Sequence, residues 1–176
     1  MGVERIFLVG PMGVGKSTIG RLLAARLQFD FVDTDQLIEH RCGADIAWIF
    51  DVEGESGFRD RETAVLAELC TAQRAVIATG GGIIVREQNR CLLDAQNPVV
   101  YLQADIDQLC ARTARDRKRP LLQVEDPRQK IIELLTERSA FYERVADFIV
   151  NTDTIGPRAA VHKIMTMLQE SPNEHA

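Results

Sequence analysis

The chain has 176 residues, enough for one domain with a substantial core and short for two. Charged residues make up 27% and the apolar set 45%, proportions ordinary for a soluble globular protein. With 26 acidic against 21 basic side chains the net charge is −5, which argues against a general nucleic-acid coat, and no apolar stretch reaches membrane-span length. The expectation is a single cytoplasmic domain over residues 1–176, since Met1 leads into a strand by Ile6 without a signal-peptide pattern. No interface signature stands out, so a monomer is expected. Cys42, Cys70, Cys91 and Cys110 lie far apart without C-x-x-C spacing, and His40, His162 and His175 are scattered. Neither zinc nor a disulfide framework is expected; Cys70 and Cys110 read as packing on helix faces.

In chain order, the apolar run Ile6-Phe7-Leu8-Val9 delivers the backbone into Gly10-Pro11-Met12-Gly13-Val14-Gly15-Lys16-Ser17-Thr18. This is G-x-x-x-x-G-K-S between a strand and a helix. Its glycines let backbone N–H groups curl around a di- or triphosphate at the positive end of the helix. Lys16 reaches the β/γ-phosphates and the Ser17 hydroxyl is placed for Mg²⁺. Gly13, Val14, Gly15, Lys16, Ser17 and Thr18 are therefore the expected nucleotide-binding residues. Ile19, Leu22, Leu23 and Leu27 then mark one face of a helix near 15–27.

A second strand, Phe29–Val32, ends in Asp33-Thr34-Asp35 at the start of a helix near 34–41. Two carboxylates at a strand end beside a P-loop can divide the labour, one orienting Mg²⁺ or its waters and the other receiving a substrate hydroxyl. Helix capping competes, because Asp and Thr are good caps. A helix is expected near 56–72. Asp51-Val52-Glu53-Gly54 matches the D-x-x-G of a GTPase switch, but so does Asp153-Thr154-Ile155-Gly156, and no N-K-x-D accompanies either. Arg59 is suited to bidentate recognition of a carboxylate, with a surface ion pair to Glu55 or Glu62 as the plainer reading.

The third strand, Ala75–Ala78, ends in Thr79-Gly80-Gly81-Gly82, where glycines allow backbone N–H groups to approach a ligand. A fourth strand, Val99–Leu102, precedes a helix near 105–117. The basic stretch Arg115-Asp116-Arg117-Lys118-Arg119-Pro120 then runs aperiodically to Pro127, as a mobile lid or a plain solvated loop. A helix near 127–146, a strand at Phe148–Val150 and a helix near 157–169 complete the chain. The last helix shows a core face of Val161, Ile164, Met165 and Leu168. Short strands alternating with helices predict an α/β fold with a parallel sheet.

These motifs resemble the shikimate kinase family, within the nucleoside-monophosphate-kinase-like P-loop group. The matching pieces are G-P-M-G-V-G-K-S-T, D-T-D, F-R-D-R-E at 58–62, T-G-G-G, R-P-L-L at 119–122 and E-R-x-x-x-Y at 137–142. The resemblance implies a five-stranded parallel sheet flanked by helices, a substrate-binding subdomain near 34–62 and a lid near 113–125. It implies that ATP and shikimate are the substrates and Mg²⁺ the cofactor, and that nucleic acid and membranes are not partners. Asp35, Arg59, Gly81, Gly82 and Arg138 would hold shikimate, the arginines on its carboxylate and Asp35 on its ring hydroxyls. Phe50 and Phe58 would pack on the ring or simply belong to the core. Asp33 and Ser17 would serve Mg²⁺, while Lys16 and Arg119 would neutralise the transferring phosphoryl group. Arg112 would lie over adenine, and Glu62 would orient Arg59. Phe141 departs from the family pattern, where a smaller apolar residue is expected. Gluconate is the alternative acceptor, and a nucleotide-binding protein without catalysis the alternative of another class.

Overall fold

The computed structural model describes residues 3–96, 98–114 and 120–170. Its elements run β1 (Arg5–Val9), α1 (Lys16–Leu27), β2 (Asp30–Asp33), α2 (Thr34–Cys42), α3 (Ile46–Leu69), β3 (Ala75–Ala78) and α4 (Glu87–Asp94). They continue with β4 (Val99–Gln103), α5 (Ile106–Thr113), a 3₁₀ turn (Pro120–Leu122), α6 (Pro127–Val145), β5 (Phe148–Asn151) and α7 (Pro157–Glu170). The described strands form one five-stranded sheet in the order β2-β3-β1-β4-β5, with every pairing parallel.

Both faces of the sheet are covered, which is why β1 reads as a continuous apolar run rather than an alternating one. Ile6 and Leu8 point into a core shared with Ile19 and Leu23 of α1 and with Ala160, Val161 and Ile164 of α7. Phe7 and Val9 point the other way, against Val65, Leu66 and Leu69 of α3 and Tyr142 and Val145 of α6. Ile6, Phe7, Leu8 and Val9 are all fully buried. The order of strands reverses between β1 and β3, the switch point where open parallel sheets bind ligands beyond their C-terminal edge. The glycine loops after β1 and β3 therefore meet at one crevice.

The predicted strands and most helices are present, with instructive differences. α1 buries Ile19 and Leu23, but Leu22 is turned to solvent. Met165 and Leu168 pack against the core beside Val161 and Ile164, and Cys70 and Cys110 also pack against apolar clusters. The helix expected near 56–72 instead starts at Ile46, ends at Leu69, and is kinked at Gly54 (φ 72°, ψ 176°). That positive φ is cheap only for glycine, and the glycines at 54 and 57 masked the first segment as a loop. α4 is absent from the expected elements because two of its three buried residues, Asn89 and Arg90, are polar, leaving no apolar period to read. α5 ends at Thr113, short of the expected 117, and residues 115–119 of the expected lid lie outside the described set.

Candidate active site

The phosphate cradle is built by local backbone. Gly13 and Gly15 take positive φ (80° and 103°), turning the chain into α1. A Cβ on Gly13 would also sit 2.5 Å from Thr113 Cγ2. No side chain caps α1 and its first turn holds no acidic residue of its own, which leaves its leading N–H groups to a ligand. Lys16 Nζ donates to the carbonyls of Gly10 (2.7 Å) and Pro11 (2.8 Å), which folds it back over the loop.

Asp33 caps α2 and also reaches the P-loop. Its Oδ1 accepts from the N–H groups of Asp35 (3.1 Å) and Gln36 (3.2 Å), capping α2. Its Oδ2 accepts from the Ser17 hydroxyl at 2.5 Å. One carboxylate thus ties the P-loop to the end of β2 while closing a helix. Between the aspartates, Thr34 is fully buried and its Oγ1 accepts from Gly80 N–H at 3.0 Å, fastening the ends of β2 and β3 together. In the sequence Thr34 looks like any polar residue in a cap.

Beside the cradle lies an open cleft walled by Asp35, Phe50, Phe58, Arg59, Gly80–Gly82 and Arg138. Met12 and Leu121 also line it; both fall inside the spaced motifs, which give neither of them a role. Phe50 and Phe58 pack edge-tilted with centroids 5.1 Å apart; Phe58 is core and wall at once. Arg59 is 5% exposed, donating from Nη1 to Glu62 Oε2 (2.8 Å) and from Nη2 to Glu55 Oε1 (3.1 Å). Both ion pairs anticipated for it exist, but neither leaves it on the surface. Burial pushes the Glu62 carboxyl up against the opposing pull of Arg59. Burial also works against the Arg59 charge, but Glu62 and Glu55 outweigh it and hold the guanidinium charged.

Arg138 enters from α6, is 5% exposed, and forms no ion pair within 4.0 Å among the described residues. Arg59 Nε, Glu62 Oε1 and Arg138 Nε are all buried without a hydrogen-bond partner among the described residues. Such orphaned polar atoms are costly, and the two guanidinium Nε–H donors among them can be completed by an acceptor bound in the cleft. Arg59 and Arg138 thus place two guanidinium groups on the cleft wall, with Asp35 as the carboxylate on the same wall, a set that can take a ligand bearing both a carboxylate and hydroxyls.

The glycine triplet has a reason beyond backbone approach. A Cβ on Gly82 would fall on the Arg59 guanidinium, and one on Gly80 would sit 2.7 Å from both Asp35 Oδ1 and Glu62 Oε1. Absent side chains here make room for the charged groups. Arg112 donates to the Val14 carbonyl (3.3 Å) and to Thr152 Oγ1 and carbonyl (3.1 Å each), which sets it against the P-loop at the end of β5. Arg119 lies outside the described residues.

Comparison with known proteins identifies the family. The family model for shikimate kinase matches residues 12–169. The shikimate kinase of Chromohalobacter salexigens is 57% identical over 93% of this chain and 91% of its own, and that of Pseudomonas syringae is 54% identical over 97% and 99%. Among solved structures, shikimate kinase from Acinetobacter baumannii in complex with shikimate superposes with a TM-score of 0.94 at 45% identity, covering 99% of this chain and 96% of that one. With a family model over residues 12–169 and relatives matched over nearly the whole chain, the chain belongs to the shikimate kinase family.

Proposed function

We propose that this cleft and cradle transfer the γ-phosphoryl group of ATP to the 3-hydroxyl of shikimate, giving ADP and shikimate 3-phosphate. This is a step of aromatic amino-acid biosynthesis. The observation that carries the reading is the pair of buried arginines, Arg59 and Arg138, with a single buried glutamate between them. They line a cleft that opens beside an uncapped helix N-terminus. An acceptor with one carboxylate and ring hydroxyls fits that charge pattern, and the Acinetobacter relative is described with shikimate bound.

The P-loop N–H groups and Lys16 hold the triphosphate, and Arg112 flanks the adenine. Arg59 and Arg138 take the shikimate carboxylate by charge-assisted hydrogen bonds. Gly81 and Gly82 approach its ring through their backbone, with Phe50 and Phe58 against the ring face. The 3-hydroxyl oxygen forms the new P–O bond as the bond to the ADP oxygen breaks, and the hydroxyl proton passes to the Asp35 carboxylate. Lys16 and Arg119 neutralise charge on the transferring group. Ser17 and Asp33 present hard oxygen donors within hydrogen-bond distance of each other beside the cradle, which fits Mg²⁺ with most of its coordination left to phosphate and water. When bound, Mg²⁺ offsets phosphate charge and aligns the γ-phosphoryl group. The test is a coupled ADP-release assay with Mg·ATP and either shikimate or gluconate. Turnover with shikimate is expected; turnover with gluconate alone, or with neither, overturns the reading.

A further inference from the structure

The loop that follows β3 is gripped from behind. Tyr142 of α6 is 1% exposed and stacks on Tyr101 with centroids 5.0 Å apart, and its phenol donates to the Gly81 carbonyl. Burial pushes this phenol's pKa upward, so it remains a donor at any working pH. Further along, Arg90 Nη1 donates to the carbonyls of Ile84 (2.7 Å) and Val85 (2.9 Å), and Asn89 Nδ2 donates to that of Ile83 (2.9 Å). The Arg90 guanidinium lies 4.2 Å from the centroid of the Phe141 ring. The departure noted at Phe141 thus has a physical role, since the larger ring gives Arg90 a platform on α6.

A trans peptide holds its C=O and N–H in opposite directions. Fixing the Gly81 carbonyl on the Tyr142 phenol therefore turns the Gly82 N–H to the side opposite that phenol, and Gly80–Gly82 line the cleft. Neither the Gly81 nor the Gly82 N–H donates to a described residue. We propose that Tyr142 is a positioning residue: by holding the Gly81 carbonyl it presents the Gly82 N–H to an oxygen of the bound acceptor, while Arg90 on Phe141 clamps the far end of the same loop. This rests on the shikimate reading above.

Tyr142→Phe removes one O–H and keeps the stacked ring. The expected result is a shikimate KM raised roughly five- to tenfold, the size of one net hydrogen bond, with the ATP KM within about twofold of the parent protein. A merely structural tyrosine would lower Tm and move both KM values together, and that outcome overturns the proposal, as does an unchanged shikimate KM. If Tyr142→Phe fails to fold, Arg90→Lys carries the same expectation and the same refutation. The parent protein is assayed first. Absence of shikimate turnover there refutes the acceptor reading, whereas turnover with an unchanged variant refutes the role of Tyr142 alone.

Discussion

Glu62→Ala tests whether the buried ion pair is what holds Arg59 in the cleft. Glu62 is fully buried and its Oε2 lies 2.8 Å from Arg59 Nη1. Removing one partner of such a pair commonly costs about 3–5 kcal/mol, because the other charge is left buried and uncompensated. Two features of this site lower the figure. Glu55 still faces Arg59 at 3.1 Å, though its side chain is 51% exposed and well screened. Glu62 Oε1 has no partner among the described residues, so deleting it also removes an unmet desolvation cost. The expected destabilisation is about 2–3 kcal/mol. For a chain of this size that is a Tm fall of roughly 4–12 °C. Released on one side, Arg59 should swing toward Glu55 at the solvent edge, raising the shikimate KM while the ATP KM holds. Glu62→Gln should fall between the two proteins, since the amide oxygen can still accept from Nη1. Thermal unfolding by circular dichroism and initial rates at varied shikimate measure both effects. A Glu62→Ala protein that melts with the wild type and keeps its shikimate KM would refute the reasoning.

Asp35→Asn should lower kcat by about 10²–10⁴-fold with Tm nearly unchanged, because it removes a proton acceptor and no packing; near-normal turnover removes Asp35 from the chemistry. Gly82→Ala places a methyl group on the Arg59 guanidinium, which two carboxylates restrain. Its shikimate KM should rise about tenfold, and an unchanged value would show that Arg59 yields freely. Asp147 accepts from Val99 N–H at 2.7 Å, and burial raises its carboxyl above the ordinary value. The folded state then keeps that proton longer than the unfolded chain, so stability falls as pH rises through the window above about pH 4. Asp147→Asn is free of this loss, and its Tm relative to wild type should improve from pH 4 to pH 7; a constant difference rejects the assignment.

Much of the site was legible because its parts are local. The P-loop needs glycines at positive φ, a lysine and a hydroxyl at set spacing, and a strand and helix on either side, all within Arg5–Leu27. Asp33 and Asp35 were marked by their place at a strand end, and capping and Ser17 contact proved compatible because a carboxylate has two oxygens. Arg59 was visible as an arginine with two acidic neighbours in helical register, but its burial was not. Asn89 and Arg90 were invisible, since periodicity reports apolar faces and theirs is polar.

By itself the sequence determined the α/β class, the strand ends that carry ligand groups, and a nucleotide cradle, because each follows from short-range backbone geometry and apolar period. The resemblance carried by its spaced motifs added the acceptor. Only the tertiary structure decided which of those groups meet. The order β2-β3-β1-β4-β5 sets the loops after β1 and β3 side by side. The docking of α6 brings Arg138 to the cleft that Arg59 lines and Tyr142 to the Gly81 carbonyl. Burial then turns an ordinary Arg–Glu helix pair into a fixed charge, because water no longer competes for it.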